Sequence, residues 1–274
     1  MLSLKIVSCL RKLVLKCLAP FSSNSTLKVE DFLQPLCKAA AHNTYVETVS
    51  DKADSLHRMI EQRYAEDFFA AQLQLVQQLL RKYRRSAVTL AMDITEEDFY
   101  GKTSNLWIAN WTGEAGVTGH FKFLVLSLVG KQKHPLLALP LHVGYDLVEE
   151  VRCLLQQAKK FFRHIRLVLF DRGFYSAALL AYLQEQHLPY LMFVPKNKAM
   201  QRYWAAGCTE VQHTLKTSGD RCTLRVTAKH VFIEHKDLQW TFATTLACED
   251  ALQYIWTYKQ RWQIETNFRV QDEA

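Results

Sequence analysis

Glycine is scarce in this 274-residue chain: nine residues, all between Gly101 and Gly219, with none in the first hundred positions. Neither a Walker A pattern nor G-x-G-x-x-G occurs, which excludes the glycine-rich loops that cradle nucleotide phosphates. The seven cysteines are scattered, odd in number and free of any Cys-x-x-Cys pair. That argues against a zinc site and suits reduced thiols in a cytoplasmic protein. No window holds 18 uncharged apolar residues, so no membrane span is expected and no membrane partner. Arg11-Lys12 interrupts the apolar positions of residues 1–19, which removes the core a signal peptide needs and leaves a short amphipathic helix or leader.

What is present describes a globular protein. Hydrophobic residues make up 49% and charged residues 22%, enough for one large core or two modest ones. The net charge of +7 and the pI near 9.0 permit an anionic partner. Residues 1–86 hold 13 Lys+Arg against 8 Asp+Glu, and residues 87–274 hold 21 against 19. The basic excess therefore belongs to the first third.

Pro20 and Phe21-Ser22-Ser23-Asn24-Ser25 mark a linker, so residues 1–26 read as leader and linker. Residues 27–86 are helical in pattern. The clearest helix starts near Glu66, with Phe69, Leu73, Val76, Leu80 and Tyr83 at helical spacing. It ends in Arg81-Lys82-Tyr83-Arg84-Arg85, which reads either as a solvated helix end or as part of a small DNA-binding domain, with a helix-turn-helix inside residues 43–62. At Ala87 the period changes. Strands are expected over 87–95, 120–130 and 134–144, then a helix capped by Asp146 with Glu149 in its first turn. That helix buries Leu147, Val151, Leu154, Leu155, Ala158 and Phe162. A strand ending at Asp171, a helix near 175–187 and a strand over 190–194 follow. Short β-patterned runs at 209–216, 221–229, 231–235 and 240–245 suggest an inserted antiparallel sheet within residues 199–247. Helix returns near Glu249 and carries Glu265.

The expected fold is α/β: residues 87–198 form a mixed sheet flanked by helices, 199–247 a β-rich insertion, and 248–274 the final helix. Within it, Ile165–Phe170 is apolar without alternation and stops at Asp171-Arg172-Gly173, the signature of a strand buried on both faces. Taken alone, Asp171 serves equally well as a cap for the next turn. Asp93, ending Leu90-Ala91-Met92, and Glu265 on the last helix favour a site instead. On a helical wheel, with Tyr258 at zero, Arg261 falls at about −60°, Glu265 at about −20° and Arg269 at about +20°. A phenol, a carboxylate and two guanidinium groups share one stripe. Three convergent carboxylates need cations, and oxygen-only ligands suit Mg²⁺ or Mn²⁺ and two-metal phosphoryl transfer.

These motifs resemble an insertion-sequence transposase of the DDE superfamily, in the group with a Tyr-(2)-Arg-(3)-Glu-(6)-Lys signature. Tyr258, Arg261 and Glu265 match that spacing, Asp171-Arg172-Gly173-Phe174-Tyr175 resembles the second-Asp motif, and Asp93 with Tyr100-Gly101 resembles the first. The resemblance covers about residues 87–274. It implies an RNase H-like catalytic core and Mg²⁺ dependence (Mn²⁺ substituting), while the helical pattern of residues 27–86 adds an all-α domain before the core. It also implies double-stranded DNA with terminal inverted repeats as substrate, and a homodimer in the synaptic complex. A cytoplasmic, nucleoid-associated protein is expected. Asp93, Asp171 and Glu265 would be catalytic metal ligands, with Tyr258, Arg261, Arg269 and Arg172 on the DNA.

The signature expects Lys where this chain has Asp272, which hands that cation to Arg269. The sequence also stops at Ala274, without the helical tail such enzymes carry, so a truncated chain is expected. Two other readings stay open: an RNase H-like nuclease or junction resolvase, and an inactive remnant that binds transposon ends. The resemblance also implies that a Trp of the insertion stacks on a displaced base, with Trp204 and Trp240 the candidates and packing of the inserted sheet an at least equal alternative. Trp107, Trp111 and Trp256 are assigned to packing, and His120, His134, His142 and His164 to surface or satisfied core positions.

Overall fold

A computed structural model describes residues 28, 30–42, 44–61, 65–102, 105–110, 116–130, 134–218 and 223–262. They fall into two units, one within residues 28–82 and one within 83–262.

In the first unit the regular elements are helical: α1 (Glu30–Ala41), α2 (Ala53–Glu61) and α3 (Ala65–Leu80). The helix α3 buries Val76 and Leu80 on the expected face, with Phe69 and Leu73 half-buried beside them, and Ala71 on the opposite side. In α2, Ala53 and Leu56 are buried while His57 and Arg58 face solvent. No helix among the described residues is long and apolar enough to cross a membrane.

The second unit is built on one nine-stranded mixed sheet. Its strands are β1 (Ala87–Phe99), β2 (Ile108–Asn110), β3 (Gly119–Val129), β4 (His134–Leu141), β5 (His164–Phe170), β6 (Tyr190–Phe193), β7 (Glu210–Ser218), β8 (Thr223–His235) and β9 (Leu238–Thr244). The order is β2-β3-β1-β5-β6-β9-β8-β7, with β4 also on β3. The pairs β1–β5 and β5–β6 are parallel, and the others antiparallel. Among the described residues four helices accompany it: α4 (Leu147–Phe161), α5 (Ala177–Glu185), α6 (Lys198–Ala205) and α7 (Leu252–Lys259).

Local chemistry sets these boundaries. The Asp146 carboxylate accepts the Val148 and Glu149 amides at 2.9 and 3.4 Å, and Lys159 and Lys160 lie in the last turn of α4, matching the helix dipole at both ends. The helix buries Val151, Leu154, Leu155, Ala158 and Phe161. Ser176 caps α5 by accepting the Leu179 amide at 3.2 Å. Strand β4 contains Pro135 and Pro140 and lies at the edge, where a missing amide breaks no ladder on the open side.

Three expectations are corrected. First, β1 does not stop at Thr95. It runs through Glu96, Glu97 and Asp98 to Phe99 because β3 pairs with it along that length. Cross-strand partners make the acidic residues tolerable there: Lys122 Nζ is 2.6 Å from Glu96, and His120 Nδ1 is 3.0 Å from Asp98. Second, residues 199–247 begin with a helix, α6, whose cap is Asn197 accepting the Met200 amide at 3.0 Å. Third, the strands that follow are no separate sheet, since β9 pairs with β6 and extends the central one. Residues Trp240–Thr244 are all buried, as a strand covered on both faces requires. The two runs at 221–229 and 231–235 are one strand, β8, turning into β9 through Lys236 and Asp237 at φ 51° and 60°. A two-residue hairpin loop demands that left-handed backbone.

Candidate active site

The parallel pairing of β1 and β5 brings Met92 opposite Phe170. Asp93 and Asp171 are therefore the next residues of two adjacent strands. Beyond this level β5 ends and β1 continues paired only with β3, so the two carboxylates stand where the sheet opens.

The end of α7 closes over them. Tyr254, Ile255 and Tyr258 form its buried side. The Tyr258 ring packs against Phe242 (5.2 Å between centroids), Phe193 (5.6 Å) and Trp240 (6.3 Å), an apolar seat that fixes the phenol. Its hydroxyl emerges to donate to Asp171 Oδ1 at 2.9 Å. One turn on, in the 3-10 turn Gln260–Trp262, Arg261 is 4% exposed. Its Nη1 donates to Asp93 Oδ2 at 2.8 Å, and its Nη2 is 3.9 Å from Asp171 Oδ1. The guanidinium lies 5.5 Å from the Tyr258 ring centroid. Asp93 Oδ1 accepts the amide of Ile94 at 3.0 Å.

One arginine thus spans two carboxylates, and the charges decide its state. Burial acts to lower its pKa, but Tyr258, Asp93 and Asp171 outweigh burial and hold it above the ordinary arginine value. Burial pushes the Tyr258 phenol well above its usual range, opposed by Arg261 and assisted by Asp171. Tyr258 is therefore a neutral donor and Arg261 a fixed cation.

The expected stripe is borne by Tyr258 and Arg261, which converge on both aspartates. Their polar groups point at carboxylates and both side chains are buried. Glu265, Arg269 and Asp272 lie outside the described residues. Arg172 is exposed in the 3-10 turn Arg172–Phe174 that follows Asp171. Trp240 is buried among Phe193, Phe242 and Tyr258. Trp204 donates its indole N–H to Thr241 Oγ1 at 3.0 Å and meets Phe232 edge-on. The assignment of Trp107 and Trp256 to packing is corrected, since they are 43% and 57% exposed; Trp111 is outside the described residues. Trp107 meets His142 edge-on, and Lys259 Nζ is 5.0 Å from the Trp256 ring.

No cluster of three His, Cys, Asp or Glu capable of holding a metal occurs among the described residues. The two that converge offer oxygen only, the donor chemistry of Mg²⁺ or Mn²⁺ rather than zinc.

Sequence reasoning missed a second polar cluster beside the Asp171 segment. Tyr175, four residues past Asp171, hydrogen-bonds His230 Nε2 at 2.7 Å, and His230 Nδ1 bonds the Ala228 carbonyl at 2.9 Å. A carbonyl only accepts, so Nδ1 carries the proton and Nε2 accepts the Tyr175 O–H. Burial pushes His230 down to about 4, against the Ala228 bond and with help from His213. Burial likewise raises Tyr175 far above the phenol range. His230 gave no spacing signal; only its alternation within β8 hinted at an inward side chain.

The sequence profile described as Transposase DDE domain matches residues 115–271. That span holds Asp171, Tyr258, Arg261 and Glu265, while Asp93 precedes it. No curated protein matches the chain. Among solved structures it is similar to a piggyBac transposase synaptic complex with hairpin DNA, determined by cryo-EM, at 13% identity and a TM-score of 0.49. The likeness covers 97% of this chain and 58% of that one, so this chain spans little more than half of that neighbour's length. With more than half of its 274 residues matched by the profile, the chain belongs to the DDE transposase family.

Proposed function

We propose that this chain cuts and joins the ends of an insertion sequence by phosphoryl transfer at Asp93, Asp171 and Glu265. One observation carries the reading: two aspartates, side by side at the level where β5 parts from β1, are gripped by Tyr258 at the end of α7 and by Arg261 in the turn after it. An RNase H-like core is supported by the strand order β4-β3-β1-β5-β6, antiparallel on one side of β1 and parallel on the other.

Asp93, Asp171 and Glu265 would hold Mg²⁺ or Mn²⁺, which when bound activates the attacking oxygen and stabilises the leaving one. The chain's own residues supply the rest. Tyr258 orients Asp171, and Arg261 offsets the repulsion between the two carboxylates. Exposed Arg172, together with Arg269, offers cations to DNA phosphates. The basic excess of residues 1–86 supports a second, sequence-independent DNA contact there. Double-stranded DNA with terminal inverted repeats is the proposed substrate, and a homodimer the proposed synaptic form.

The test is incubation of the protein with duplexes bearing its flanking repeats and Mg²⁺, with each strand labelled separately. Strand-specific nicking at the repeat boundary is expected. Nicking anywhere along unrelated duplexes would assign a general nuclease instead, and binding to the repeats without any nicking a non-catalytic binder.

A further inference from the structure

We propose that Arg261 competes with a divalent cation for Asp93, so that the ion loads only as the guanidinium leaves. The inference rests on reading Asp93 and Asp171 as metal-binding carboxylates. Both oxygens of Asp93 are already engaged: Oδ1 accepts the Ile94 amide at 3.0 Å, and Oδ2 accepts Arg261 Nη1 at 2.8 Å. Nη2 of the same guanidinium reaches within 3.9 Å of Asp171 Oδ1. Arg261 therefore spans the same two carboxylates that an ion shared between them would have to span. A monocation and a dication on one carboxylate oxygen repel at a few ångström, and a buried pair receives little screening.

The surroundings allow the exchange. Arg261 sits in a single 3-10 turn beyond α7, between Gln260 and exposed Trp262, so its departure need not unseat the helix. Tyr258 holds Asp171 by a bond of its own at 2.9 Å, which keeps that carboxylate in place when the guanidinium moves. Loading would then cost the loss of one buried ion pair, and a phosphate offered to Arg261 would offset it.

The experiment is a Mn²⁺ titration of the full chain, stripped with chelator and without DNA, with free ion read by electron paramagnetic resonance. Arg261→Gln should bind Mn²⁺ roughly tenfold tighter or more, equivalent to about 1.4 kcal/mol. Arg261→Lys, with one donor site in place of a fork, should fall between it and the parent. Equal or weaker binding in both variants overturns the competition. Should Arg261→Gln fail to fold, Asp93→Asn/Arg261→Gln should recover the parent urea midpoint, and Arg261→Lys then carries the binding comparison. Asp93→Asn and Asp171→Asn separate the two ideas. If neither weakens Mn²⁺ binding, the metal reading fails and the competition with it; if both do while Arg261→Gln and Arg261→Lys stay at parent affinity, only the competition fails.

Discussion

At the open end of β1 and β5 the polar groups are charged and partly reached by solvent, whereas at β8 they are neutral and sealed. Asp93, Asp171 and Arg261 gather two negative charges around one positive, at 2.8 and 3.9 Å from the guanidinium. His230 is 0% exposed and satisfied on both ring nitrogens, by Tyr175 and Ala228. A buried neutral network gains stability because every donor finds an acceptor. A cluster with an excess of negative charge gains less, since two like charges held together raise each other's energy. Such an arrangement is expected where the charge has work to do on a ligand, and the neutral one where it fastens a connecting segment to a strand.

The largest effect should come from the charged cluster. Asp93→Ala, Asp171→Ala and Glu265→Ala should each reduce Mg²⁺-dependent strand cleavage by at least ~10³-fold, because metal-ion catalysis stabilises several kcal/mol of charge. DNA binding should persist in a gel-shift measurement, since it draws on Lys and Arg. A variant that still cleaves within tenfold of the parent would take its residue out of the site. The contrast with β8 would then narrow to a difference of burial alone.

The neutral cluster should show itself in pH rather than rate. His230 is pushed from 6.5 down to about 4. Below pH 6.5 the unfolded chain takes up a proton that the folded chain refuses, so stability is complete above 6.5 and lost as pH falls toward 4. His213, lowered by burial, adds in the same direction. Between pH 6.5 and about 5 the parent should lose roughly 1.5 kcal/mol from His230. Urea midpoints across that range measure it, and His230→Gln should flatten most of the slope. An unchanged slope would mean that the imidazole titrates normally and that the seal is leaky.

The two clusters also differ in how far the sequence revealed them. Asp93 and Asp171 were legible because apolar runs stop at them abruptly, and Tyr258 with Arg261 because a helical period puts both on one stripe. Such patterns are local, and local order carries them into the fold. Their mutual grip was legible only as convergence, since which atom meets which depends on the level at which β5 leaves β1. Strands β7–β9 read as a sheet apart because the pairing of β9 with β6 joins Phe242 to Phe193 across some fifty residues. His230 was invisible for the same reason: its partner Tyr175 lies 55 residues away. The exposed Trp107 and Trp256 were misjudged because large aromatics are buried on average, and an average does not decide a single position.

The smallest expected effect sharpens the comparison most. Tyr175→Phe removes one hydroxyl and leaves the ring in its edge contact with His230, whose centroid is 5.7 Å away. Nε2 of His230 then loses its donor inside a fully buried site, which costs about 1–2 kcal/mol. A urea midpoint should report that loss at pH 8, where His230 is neutral in both folded and unfolded chains. The penalty should shrink on adding His230→Phe, because the orphaned acceptor disappears with the ring nitrogen. Cleavage by Tyr175→Phe at saturating Mg²⁺ should stay within about threefold of the parent, or ~0.7 kcal/mol, if the bond only fastens the chain. A drop of ~30-fold or more with the fold intact would show that the seal at β8 also sets the position of Asp171, and the two clusters would then be one machine.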